Sequence, residues 1–129
     1  MKRREAREKA LQALFQIDVG KVEKETALEH VIEESEEADA YLMELVDGVT
    51  DHAEEVDRKI ESNLENWRLD RLSNIDRNIL RLTTFELLYS KDVPQNAAIN
   101  EAIELAKLFG DDQSPKFVNA VLSKIKNSL

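Results

Sequence analysis

Apolar residues recur at every third or fourth position along nearly the whole of this sequence, and little interrupts them. Between Asp39 and Leu64 the residues Tyr41, Leu42, Leu45, Val46, Val49, Ala53, Val56, Ile60 and Leu64 advance by threes and fours without losing phase, as one face of a helix does. A sheet needs alternation along its strands and turn residues between them, yet the chain has 3 glycines and 2 prolines in 129 residues. An all-α fold follows.

The same periodicity divides the chain. Ala6, Ala10, Ala13, Leu14 and Ile17 mark a first helix that ends near Gly20. Thr26 followed by Glu29 has the form of a capping box, with Leu28, Val31 and Ile32 as a short apolar stripe before an acidic break at Ser35 to Glu37. A long helix opens at Asp39 and runs to Leu64, weakened only at Gly48. The period fails from Asn66 to Leu72, around Trp67 and Leu69, before Ser73 caps a helix carrying Ile75, Ile79, Leu82, Phe85 and Leu88. Pro94 ends that segment; Ile99, Ala102, Ile103 and Ala106 form the next, which stops at Gly110. Ser114 as N-cap with Pro115 at the first helical position starts a last helix along Val118, Val121, Leu122 and Ile125. The expected architecture is six to seven helices in two packed bundles, a three-helix bundle over residues 1–66 and a C-terminal helical bundle over 67–129, forming one compact unit.

Much chemistry is excluded. Without cysteine there is no disulfide, no thiolate metal site and no Cys nucleophile. Residues three before His30 and His52 are Ala27 and Val49, so the Glu-x-x-His pattern of helical metal bundles is missing. Glycines at Gly20, Gly48 and Gly110 build neither a phosphate loop nor a nucleophile elbow. Asp51, His52, Glu54 and Glu55 lie opposite the apolar stripe and read as a solvated helix face. No catalytic residue, metal or cofactor is expected, and the protein is not expected to be an enzyme. The N-terminus lacks the apolar core of a signal peptide and no run reaches the roughly 20 apolar residues of a membrane span, which points to the cytoplasm and away from membranes.

Charge is segregated. The net charge of −9 argues against indiscriminate nucleic-acid binding. Acidic residues crowd the stretch from Glu23 to Glu65, whereas Lys2, Arg3, Arg4, Arg7 and Lys9 crowd the N-terminus. Arg3 and Arg7 stand one helical turn apart with Arg4 beside them, a ridge of guanidinium groups able to fork onto phosphates. The macrodipole disfavours cations at a helix start, so the cluster costs helix stability and points to a nucleic-acid role. Ser114, Pro115, Lys116 and Phe117 place backbone donors, a cation and an aromatic ring at another helix N-terminus, suited to phosphate binding and base stacking. Phe117 lies near the face of Val121 and Ile125, so core packing is the competing reading.

Three blocks carry a resemblance. Arg3-Arg4-Glu5-Ala6-Arg7 leads into Ala10-Leu11-Gln12-Ala13-Leu14-Phe15; Asp76-Arg77-Asn78-Ile79-Leu80-Arg81-Leu82 and Ile99-Asn100-Glu101-Ala102-Ile103-Glu104-Leu105-Ala106-Lys107 follow; Lys116-Phe117-Val118-Asn119-Ala120-Val121-Leu122 closes the series. In this order they resemble the NusB family over nearly the whole chain, with only Lys21 to about Glu65 lacking a motif. The resemblance implies a cytoplasmic transcription antitermination factor that pairs with NusE, a small-subunit ribosomal protein, and recognises boxA RNA so that RNA polymerase reads through terminators in ribosomal RNA operons. It implies an RNA surface of Arg3, Arg4 and Arg7 with Lys116 and Phe117, Gln12 and Ser114 lying nearby, and a NusE surface on the exposed side of Asp76 to Tyr89, especially Asp76, Arg77 and Arg81. Gln113 stands where some relatives carry an acid, and Ala120 where glycine is common. Two other readings compete: a NusB-like domain of a ribosomal RNA methyltransferase, which needs a Rossmann half after Leu129, and a purely protein-binding helical adaptor. The sequence leaves monomer and homodimer both open.

Overall fold

The computed structural model describes residues 1–33, 39–66 and 68–129. Among these it has seven α-helices, α1 (Arg3–Gly20), α2 (Lys24–Val31), α3 (Ala40–Asp51), α4 (Ala53–Glu61), α5 (Asn74–Tyr89), α6 (Gln95–Phe109) and α7 (Ser114–Asn127), with a 3-10 turn at Leu69–Arg71 and no strand. The expected acidic break at Ser35 to Glu37 and the junction residue Trp67 lie outside the described residues.

Helices α1 and α5 form the centre. They pack on each other; α1 also meets α2 and α3, while α5 meets α3, α4, α6 and α7. One apolar cluster runs through all seven helices, from Ala6, Leu11 and Leu14 on α1 through Leu42, Leu45 and Ile60 to Ile79, Leu80, Leu82, Leu122 and Ile125. Truncating any of the fully buried leucines to Ala is expected to cost about 2–5 kcal/mol.

Three local expectations need correction. The single helix from Asp39 to Leu64 is two helices, so residues 1–66 hold four helices rather than three, and the break falls at His52 (φ −112°, ψ 26°), four residues beyond Gly48. The Thr50 hydroxyl donates to the carbonyls of Val46 and Asp47, a side-chain bond that competes with the helical ladder just before the bend. Gly48 serves packing: a Cβ there would lie 2.1 Å from the Phe85 ring. Thr26 caps nothing, because α2 already starts at Lys24 and Glu23 holds the cap position. Helix α1 does end at Gly20, followed by Lys21 in the left-handed region at φ 53°. Ser114 is not the N-cap of α7 but its first helical residue, Gln113 occupying the cap position. Asp39 and Ser73, in contrast, cap α3 and α5 through bonds from the amides of Leu42 and Asp76.

Candidate nucleic-acid interface

Helix α1 starts at Arg3 without a side-chain cap, so its arginines are free to turn outward or inward as the 100° step of a helix dictates. Arg3 and Arg4 turn outward. Arg3 Nη2 donates to Asp92 Oδ2 at 2.6 Å, and Arg4 forks Nε and Nη2 onto Glu101 at 3.0 and 2.9 Å. Hydrogen bonds from these arginines hold the Asp92 and Glu101 carboxyls below the usual carboxylate range.

Arg7 faces the core. Its side chain is 7% accessible and its partner Glu86 1%, the two joined through Nε and Nη2 at 2.9–3.1 Å. The Tyr41 hydroxyl also donates to Glu86, and burial followed by that bond to a carboxylate pushes the phenol well above its ordinary range. The guanidinium carbons of Arg3 and Arg7 lie 4.3 and 5.7 Å from the Tyr41 ring centroid. The expected ridge of three arginines is therefore corrected to an exposed pair with a buried third member behind it.

At the start of α7 the expected free backbone donors are also corrected. Asp111 Oδ1 accepts from the amides of Gln113 and Ser114 at 2.8 and 3.1 Å, so a carboxylate already sits where an anion would bind. Ser114 is buried at 1%, and its hydroxyl accepts from the Asp111 amide at 3.1 Å. It shapes the turn and presents nothing to solvent. Lys116 is exposed, and neither it nor Lys2 makes an ion pair among the described residues. Phe117 is half-buried against the edge of the core, leaving part of its ring open beside Lys116.

A groove of about 300 Å³ lies between α1 and α6; Arg4, Glu8, Glu101, Glu104, Leu105, Lys107 and Leu108 line it. Arg4 faces Glu101 across this groove. Gln12 is exposed about two turns beyond Arg4 on α1, and Phe109, the last residue of α6, is half-buried.

A second charged site lies at the other end of α1. Arg77 donates to Asp18 Oδ2 at 2.9 and 2.6 Å and to Asn74 Oδ1 at 2.8 Å; Arg81 forks onto Asp57 at 2.8 and 3.0 Å and stands 3.5 Å from Asp18. Burial acts to raise the Asp18 pKa, but hydrogen bonds from Arg77 and Asn78 and the charges of both arginines outweigh it and hold that carboxyl below its usual range. Asp18, Asp57, Arg77 and Arg81, with Glu61, Arg68, Leu69 and Asp70, line an open cleft of about 690 Å³. Asp76 sits in the first turn of α5, with Oδ1 buried and unpartnered among the described residues.

Sequence reasoning missed Glu86, Tyr41, Asp92, Glu101, Asp18 and Asp57 as partners of these arginines. The pairs span 24 to 97 residues, so no local spacing announces them. In the polar cluster around His52, Asp51, Glu54 and Glu55 are exposed as expected, and only His52 is half-buried. The His52 ring stacks on Tyr89 at 4.4 Å, and the Tyr89 hydroxyl donates to Glu55 at 2.6 Å. Among the described residues no three His, Asp or Glu side chains converge as a metal-binding group, and no helix is long and apolar enough to cross a membrane.

Comparison with known proteins places this geometry in context. Residues 4–127 match the NusB family. The transcription antitermination protein NusB of Bacillus pumilus (strain SAFR-032) is 55% identical over 100% of this chain and 98% of its own, and that of Bacillus subtilis (strain 168) is 54% identical over the same shares. Among solved structures, T. maritima NusB superposes with a TM-score of 0.91 at 38% identity, covering 98% of this chain and 92% of that one. A complex of antitermination factors NusB and NusE with double-stranded RNA superposes at 0.88 and 34% identity, covering 98% and 97%.

Proposed function

The chain belongs to the NusB family, and from that premise we propose that it is a cytoplasmic transcription antitermination factor that binds boxA RNA together with NusE and joins the RNA polymerase complex that reads through terminators, notably in ribosomal RNA operons. It carries out no chemistry of its own. The single observation that carries this reading is the end-to-end match to transcription antitermination proteins at 54–55% identity.

The proposed RNA surface is the exposed edge of α1 followed along α6 to the start of α7: Arg3 and Arg4 for phosphates, Gln12 between, and Lys116 with the open part of Phe117 for a further phosphate and a base. Arg7 and Ser114 support it from behind, one by anchoring α1 to α5 through Glu86, the other by shaping the α7 turn. The surface draws on both proposed bundles, residues 1–66 and 67–129, so it needs their packing to be intact. The proposed NusE surface is Asp76 in the first turn of α5 together with the cleft lined by Arg77 and Arg81, whose charged rim at Arg68 and Asp70 is exposed and fits a partner carrying both signs of charge.

The protein has a net charge of −9 and a small basic edge, so its affinity for RNA alone is low and a bound partner that extends the positive surface raises it. Fluorescence anisotropy of labelled boxA RNA, with and without NusE, tests this. Tighter binding with NusE is expected, matched by an equal tightening of the NusE complex when RNA is present, since the coupling is reciprocal. Equal RNA affinity in both titrations contradicts the cooperative reading.

A further inference from the structure

We propose that Asp92 and Glu101 set the strength and selectivity of RNA binding by occupying Arg3 and Arg4, so that a phosphate reaches either guanidinium only by displacing a carboxylate of the protein itself. The inference rests on the reading of this edge as the RNA surface.

Neither contact is a by-product of helix geometry. Asp92 precedes α6 and Glu101 lies on it, 89 and 97 residues from the arginines they hold, so the fold itself brings these charges together. Glu101 takes Nε and Nη2 of Arg4 in the bidentate fork that a phosphate would otherwise use. Both arginines remain accessible, Arg3 at 47% and Arg4 at 63% of the side chain. Exposed pairs of this kind are weak, so exchange for a phosphate is feasible, unlike at Arg7. Glu8 and Glu104 line the same groove and extend the negative field around Arg4. An RNA that offers only its backbone meets arginines already neutralised. One that also engages Lys116 and Phe117 gains enough to displace the carboxylates, so the acids favour a matching RNA over an arbitrary strand.

The test is the affinity, at several salt concentrations, of single-stranded boxA RNA and of poly(U) of equal length for the wild type, Asp92→Asn and Glu101→Gln. Glu29→Gln, an exposed change on α2, is the charge-matched control, and Glu101→Gln is repeated in an Arg4→Ala background. Each neutralisation is expected to tighten RNA binding about two- to five-fold, the range that exposed pairs support. The log–log salt slope is expected to steepen by up to about 0.7 per carboxylate removed. Poly(U) should gain more than boxA RNA, Glu29→Gln should change little, and the Glu101→Gln gain should vanish without Arg4. Unchanged or weaker binding by both variants overturns the proposal, as does a gain that survives Arg4→Ala or is matched by Glu29→Gln. If the wild type binds boxA RNA and the variants bind it equally, only this inference falls; if the wild type binds no RNA with or without NusE, the reading of the site falls with it.

Discussion

Helix α1 presents two regions that the sequence writes in one breath. At its outer edge Arg3 and Arg4 reach solvent and meet carboxylates that water can replace; one turn inward, Arg7 meets Glu86 and the Tyr41 hydroxyl where water does not enter. The chemistry of the pairs is the same and the surroundings differ. Desolvation makes the inner pair a fixed joint between α1, α3 and α5, because neither charge can be left alone there, while the outer pairs remain exchangeable. A cluster of arginines is therefore not one functional unit. Burial divides it into an anchoring member and two binding members.

The largest expected effect breaks the inner joint. Arg7→Ala should cost about 3–5 kcal/mol in denaturant unfolding, the cost of stranding a buried carboxylate, whereas Arg4→Ala should cost no more than about 1 kcal/mol. Replacing both members, Arg7→Met with Glu86→Leu, sharpens the contrast: with no charge left unpaired, most of that stability should return. Equal midpoints for Arg7→Ala and Arg4→Ala would remove the distinction altogether.

Phe117→Ala comes next. Because the ring is half-buried, its stability loss should fall below the roughly 3 kcal/mol at which fully buried Phe truncations begin. Its RNA affinity should drop by about 1–3 kcal/mol if the open part of the ring stacks on a base. Thermal melts and RNA titrations on one preparation separate the two losses, and a fall in stability with unchanged affinity makes the ring purely a core residue.

A smaller effect belongs to the far end of α1. The Asp18 carboxyl is held below its ordinary range when folded, so near pH 4 the unfolded chain binds more protons than the native one, and stability rises with pH there. The contribution is complete above the ordinary Asp value of about 3.9 and disappears as the pH falls through the depressed one. Asp18→Asn should flatten the acid limb of a stability-against-pH curve. Glu101→Gln should barely alter that limb, since its partner Arg4 is exposed.

The helices were largely legible because periodicity is a local property: α1, α5, α6 and α7 follow the apolar stripes closely, and Asp39 and Ser73 cap as their residue types suggest. What escaped was set by distant parts of the chain. The bend at His52 accompanies the Thr50 hydroxyl's bonds to the backbone and the packing of Phe85 and Tyr89 from α5 against this stretch. The inward turn of Arg7 depends on Glu86, 79 residues away, a charged residue buried on α5 beside the apolar stripe. Ser114-Pro115 fits a cap and so suggests a turn open to a phosphate, while Asp111, three residues earlier, fills the same role with its own charge.

The most direct test of the division within α1 is the salt dependence of boxA RNA binding by three proteins: wild type, Arg3→Ala with Arg4→Ala, and Arg7→Met with Glu86→Leu. The last two differ in which arginines they lack, and the Arg7–Glu86 replacement leaves the net charge unchanged. Removing the outer arginines should flatten the log–log slope, by less than about 0.7 for each phosphate they neutralise because Asp92 and Glu101 offset part of their charge, while the apolar replacement of the inner pair should keep the wild-type slope. A slope that falls with Arg7 and Glu86 but survives the removal of Arg3 and Arg4 would contradict the account.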